Sequence, residues 1–142
     1  MFTVTASEDI KRKPDEVFAF AGEYLNDPSW RKGVTSMVYE TSEHPKIGIR
    51  TRETMRSMGR NVVTIAQVTE FSPIRTAFRS VSGPVACDGY REFFASQTGT
   101  WFTYSLTLRP TGFLRLLEPL LRTMFAKQAR DDVRRLKLIL ES

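Results

Sequence analysis

At 142 residues the chain is long enough to bury a sizeable core and too short for two comfortable ones, so a single domain over 1–142 is expected. Its 41% hydrophobic and 26% charged residues are those of a soluble globular protein and exclude a disordered or fibrous chain. The net charge of +5 is carried by scattered rather than clustered residues, and one cysteine and one histidine exclude an internal disulfide and a cysteine metal cluster.

Residues 2–10, FTVTASEDI, alternate Phe2, Val4 and Ala6 against Thr3, Thr5 and Ser7, which predicts a strand. No apolar run of signal-peptide or membrane-spanning length appears, and a cytoplasmic location is expected. Pro14 followed by Asp15 and Glu16 opens a short helix, whose apolar spacing continues through Val17, Phe18, Phe20, Ala21 and Tyr24. The segment NDPSW reads as a turn or a second short helix, with Asn26 or Asp27 as its cap.

Six segments separated by turn chemistry follow, near 34–40, 47–57, 61–71, 75–82, 85–94 and 100–109. In the second, Ile49, Thr51, Glu53 and Met55 share one face and Arg50, Arg52 and Arg56 the other. In the fifth, Cys87, Gly89, Arg91 and Phe93 alternate with Ala86, Asp88, Tyr90, Glu92 and Phe94, and the residue types leave open which face is inward. In the sixth, Phe102, Tyr104, Leu106 and Leu108 face inward, because Thr103, Ser105 and Thr107 hydroxylate the opposite face. From Thr111 the period changes to that of a helix, with Phe113, Leu117, Leu121, Phe125, Ala129, Val133, Leu136 and Leu140 in one stripe. Pro119 predicts a kink or a fresh helix start. Consecutive strands with short connections make an antiparallel meander, and only the C-terminal helix is long enough to cover its concave face.

The segments KRKPDEVFAFAGEYLNDPSW, KIGIRTR, VTEFSPIRTAFRS, GTWFTYSLTLRP and DDVRRLKLILES, in this order and spacing, resemble those of the SRPBCC group. That group includes START-like, Bet v 1-like and polyketide cyclase/dehydratase-like proteins. The resemblance implies an α+β helix-grip fold: a curved antiparallel sheet of six or seven strands around a long C-terminal helix, with two short helices after the first strand. It also implies a cavity for a hydrophobic small molecule such as a lipid, quinone or polyketide, bound or transported, with no cofactor.

The residues expected to meet such a ligand are Trp30, Glu53, Met55, Phe78, Arg91, Phe93, Phe102, Tyr104, Leu121, Met124 and Phe125. Each apolar one is equally at home in a packed core, and Glu53 reaches solvent instead if the register slips by one. No HExxH, GxSxG or phosphate-cradling glycine loop is present, so binding is expected over catalysis. The enzymatic alternative is a cyclase or dehydratase with Glu53 as general base and Tyr104 or Arg91 polarising a carbonyl. A Cys87–His44 pair is available by inventory alone. A third reading uses Arg50, Arg52, Arg56, Arg75 and Arg79 as a basic sheet face for peripheral contact with an anionic membrane or an acidic partner, or simply as a solvated surface. Aromatics do not interleave with these arginines, so no nucleic acid is expected, and nothing in the sequence fixes an oligomeric state.

Overall fold

The computed structural model describes residues 1–41 and 45–142. Strand β1 (Phe2–Ile10) is followed by helix α1 (Pro14–Ala21), a 3₁₀ turn (Tyr24–Asn26) and the one-turn helix α2 (Asp27–Trp30). Then come β2 (Val34–Tyr39), β3 (Arg50–Ser57), β4 (Arg60–Ser72), β5 (Arg75–Ser82), β6 (Ala86–Ala95) and β7 (Thr100–Arg109). The chain ends in α3 (Phe113–Leu116) and the 24-residue α4 (Glu118–Glu141). All neighbouring strands are antiparallel, in the order β1-β7-β6-β5-β4-β3-β2. The expected helix-grip architecture is the one observed.

The sheet curls because its longest strand is irregular. The 13-residue β4 changes register against β5 between Ile65 and Ala66 and again between Val68 and Glu70. Each such bulge bends the strand and adds right-handed twist. The concave face so formed is filled in two ways. Toward the C-terminal half of α4, Ala129, Val133 and Leu136 pack with Val4, Ile10, Trp30, Phe93 and Phe102 into a closed core. Trp30 meets Phe102 and Tyr104 edge-on, with ring centroids 5.9 and 5.6 Å apart. Toward the N-terminal half of α4 the facing side chains stand apart and leave a cavity.

Pro119 sits in the first turn of α4, where its missing N–H costs nothing, and gives the fresh helix start. The non-helical Leu117 separates α3 from α4 and takes Phe113 out of the apolar stripe, leaving it 72% exposed. Leu117, Leu121, Phe125, Ala129, Val133, Leu136 and Leu140 do pack inward. On the convex side, β1 and β7 are joined by hydroxyl pairs, Thr3–Thr107, Thr5–Ser105 and Ser7–Thr103, at 2.8, 3.1 and 2.9 Å. These pairs bury Thr103 and Ser105 despite their outward direction.

Gly89 in β6 permits one close approach. A Cβ there would lie 2.6 Å from the Ser105 carbonyl oxygen and 2.8 Å from the Phe78 ring. The bare backbone is what seats the Phe78 side chain against the sheet. Gly89→Ala is therefore expected to destabilise the fold by about 1–3 kcal/mol, an overpacking cost, read as a lowered urea midpoint at unchanged slope.

Candidate ligand cavity and its charged floor

The cavity measures about 460 Å³ and lies between the sheet and the first half of α4. Its walls are mostly apolar: Met55, Val62 and Ala66 from β3 and β4, Phe78 from β5, Leu106 and Leu108 from β7, and Leu121, Met124 and Phe125 from α4. The ends of β3, β5 and β7 converge on its mouth, where Met58, Arg60, Pro84, Val85, Pro110 and Leu114 form the rim. Alternation along each strand explains the walls: inward positions recur every second residue.

Four charged groups, Asp27, Arg31, Glu53 and Arg91, gather at the inner end. Arg91, on β6, and Asp27, at the start of α2, are both fully buried. The guanidinium grips the carboxylate at both oxygens, Nη1 to Oδ1 at 2.8 Å and Nη2 to Oδ2 at 2.6 Å, and Nη1 also donates to the Ala21 carbonyl at 2.9 Å. Arg31 Nη1 bridges Asp27 Oδ2 at 3.0 Å and Glu53 Oε2 at 2.8 Å. Two guanidiniums and two carboxylates thus form a connected group with no net formal charge. The Arg91 guanidinium also lies near the rings of Tyr24 (4.7 Å), Trp30 (5.0 Å) and Tyr104 (5.6 Å), an arrangement in which desolvated cation–π attraction helps offset burial.

Burial opposes the charge on both arginines, but their carboxylate partners win. The Asp27 carboxylate carries Arg91 above the ordinary guanidinium value, and Glu53, with Tyr104 and Asp27, does so for Arg31. Burial pushes the Tyr104 phenol up to about 12 against the pull of both arginines, and raises the Tyr24 phenol in the same way. Both tyrosines are therefore neutral hydroxyls at physiological pH. Burial pushes the Cys87 thiol on the cavity wall up to about 11, with the Glu53 charge acting in the same direction, so it is a protonated wall group rather than a nucleophile. Its proposed partner His44 lies outside the described residues. Among the described residues no group of three His, Cys, Asp or Glu is placed to hold a metal, and no helix is long and apolar enough to cross a membrane.

Of the residues singled out from the sequence, Glu53, Met55, Phe78, Arg91, Leu121, Met124 and Phe125 come together on the cavity wall. Trp30, Phe93, Phe102 and Tyr104 point to the same concave side but sit farther along it, inside the closed core. The sequence reading passed over Tyr24, Asp27 and Arg31. Asp27 is not the N-cap of α2: Asn26 occupies that position without a side-chain capping bond, and the Asp27 carboxylate is wholly engaged by arginines. The available signal was the i,i+4 spacing of Asp27 and Arg31 across the turn DPSWR. Of the five arginines expected to form a basic sheet face, Arg52 pairs with Glu40 and Arg75 with Glu70 and Glu92, whereas Arg50, Arg56 and Arg79 form no ion pair among the described residues.

A curved sheet gripping a long helix over an apolar cavity defines the helix-grip class. The family model described as polyketide cyclase/dehydrase and lipid transport matches residues 1–141, and the chain belongs to that family. Among solved structures, TTHA0849 from Thermus thermophilus is similar with a TM-score of 0.84 at 22% identity, over 99% of this chain and 97% of that one. The Zhui aromatase/cyclase from Streptomyces sp. R1128 is similar with a TM-score of 0.81 at 13% identity, over 99% and 93%. Ara h 8.0201 is similar with a TM-score of 0.70 at 11% identity, over 99% and 97%. At these identities the likeness is one of fold. A search of curated proteins returns no significant match.

The buried pair makes a sharp stability prediction. Asp27→Asn strands the Arg91 charge in the interior and should cost about 3–5 kcal/mol in urea unfolding. The double replacement Asp27→Leu with Arg91→Met removes both charges and should cost less than Asp27→Asn alone. A loss under about 1 kcal/mol for Asp27→Asn would contradict the assigned pairing.

Proposed function

We propose that the protein binds, and carries, a hydrophobic small molecule in the cavity between sheet and α4. The observation that carries this reading is the 460 Å³ apolar cavity, a volume in the range of small-molecule sites, closed at one end by a fixed polar group and open at the other. Lipids, quinones and polyketides share the required shape, an apolar body with few polar atoms. The family description, which joins cyclisation and lipid transport, supports the same class. A docking role for the sheet-face arginines has less support, because Arg52 and Arg75 are already paired with carboxylates.

A second reading is favoured by one observation: Glu53 presents a carboxylate at the cavity wall, in a fold shared with an aromatase/cyclase. In that reading Glu53 removes a proton alpha to a ligand carbonyl, which a neutral Tyr24 hydroxyl polarises. Glu53→Gln would then abolish turnover of a polyketide-like substrate while leaving its binding largely intact. Equal loss of both, or of neither, would remove Glu53 from the role of base.

Native mass spectrometry of freshly purified protein, followed by organic extraction, tests the carrier reading directly. A reproducible apolar adduct is expected. Met124→Trp, which fills the cavity from α4, should abolish the adduct and weaken Nile red binding about tenfold or more, with no loss of thermal stability. An adduct and dye affinity unchanged by Met124→Trp would place binding elsewhere.

A further inference from the structure

The inner end of the cavity is chemically selective, an inference that rests on the cavity being the binding site. Four of its charged groups cancel: Arg31 and Arg91 against Asp27 and Glu53, each guanidinium already hydrogen-bonded to a carboxylate. A ligand carboxylate arriving there finds Glu53 on the wall and no uncompensated cation. A ligand ammonium finds a carboxylate already held by Arg31. The Nε–H of each guanidinium is buried without a partner, but either ion would still add an unbalanced charge to a neutral group in an apolar space or break an existing pair, and both are unfavourable.

A neutral hydroxyl meets a different situation. Tyr24 lines the cavity and is 2% exposed, yet its hydroxyl has no hydrogen-bond partner among the described residues. The Thr76 hydroxyl beside it lowers its pKa as a hydrogen-bonding neighbour, yet it too is buried with no bond of full hydrogen-bonding geometry, so two adjacent hydroxyls are left incompletely satisfied. A buried donor left open is costly in an isolated fold and is a ready contact for an incoming oxygen. Glu53, which carries no donor of its own as a carboxylate, complements it as an acceptor. A hydroxyl is the small group that both accepts and donates.

We infer that this site selects an apolar molecule bearing a neutral alcohol or phenol at its leading end, with Tyr24 donating to the hydroxyl oxygen and Glu53 accepting its hydrogen, and that it discriminates against carboxylates and amines of the same skeleton. The chemistry is shared by aliphatic alcohols and by phenols, and two matched ligand series distinguish them.

The test is competitive displacement of Nile red at neutral pH by 2-naphthol, 2-naphthoate, 2-(aminomethyl)naphthalene and naphthalene, and by decanol, decanoate, decylamine and decane. The hydroxyl member of at least one series should bind about tenfold tighter than its hydrocarbon and its ions, the effect of one net hydrogen bond and the avoided unpaired charge. The tighter of the two series identifies an aromatic or aliphatic skeleton. Tyr24→Phe should reduce the hydroxyl compound to the affinity of its hydrocarbon and leave the hydrocarbon unchanged. Glu53→Gln leaves two guanidiniums facing one carboxylate and should shift preference about tenfold toward the carboxylate member, a reversal that a purely structural role for Glu53 would not produce. In the unmutated protein, carboxylates binding as tightly as hydroxyls in both series overturns the inference while leaving the cavity as the binding site. Failure of every member and of Nile red overturns both.

Discussion

The fully buried Asp27 carboxylate, clasped between Arg91 and Arg31, is the interaction on which the arrangement of this protein depends. It joins three parts of the chain that would otherwise meet only through apolar contact: the turn after α1, the centre of β6 and, through Glu53, the middle of β3. An ion pair so deep contributes little net stability over an apolar substitute, but removing one member is severe, so the pair fixes where these segments sit more than how strongly they hold. It also sets the depth of the cavity. Arg91 is paired across the sheet with Tyr104, and beyond this level the concave space is filled by Trp30, Phe93 and Phe102.

Much of this was legible in the sequence, and the reason is periodicity. Strand alternation assigned Glu53 and Met55 to the face opposite Arg50, Arg52 and Arg56, and Arg91 and Phe93 to the same side as Gly89, which is how the strands lie. What alternation reports is the face of a residue, not its height along the strand. Phe102, Tyr104, Leu106 and Leu108 share one face, yet the first two lie in closed core and the last two on the cavity wall. That boundary follows from how far α4 stands off the sheet at each level, a property of volumes contributed by distant segments. Asp27 and Arg31 were hidden for a different reason. Turn residues have no period, and a turn aspartate reads locally as a cap. Its actual role depends on an arginine 64 residues away.

The same separation explains how one fold accommodates relatives at 11–22% identity. The closed end of the grip, built from aromatic edge-to-face contacts and the second half of α4, holds the architecture. The half that holds the cavity, walled by methionines and strand-end residues and floored by the charged group, bears the chemical character of the site. Substitutions there alter what fits without disturbing the half that keeps the sheet curled.

The hydroxyl seam between β1 and β7 bears on the order in which the chain assembles. Thr3 meets Thr107 across 104 residues of sequence, whereas β2 through β7 each pair with a neighbour in the chain. Contacts of such long separation close late and slow a folding reaction, because the entropy of the intervening loop is lost before they form. During synthesis the first strand emerges with its alternating face of Phe2, Val4 and Ala6 uncovered, and its mate β7 appears only after residues 11–99 have been made. The threonines and serine on its other face keep that waiting segment half polar, which limits the partners it can adopt before β7 arrives.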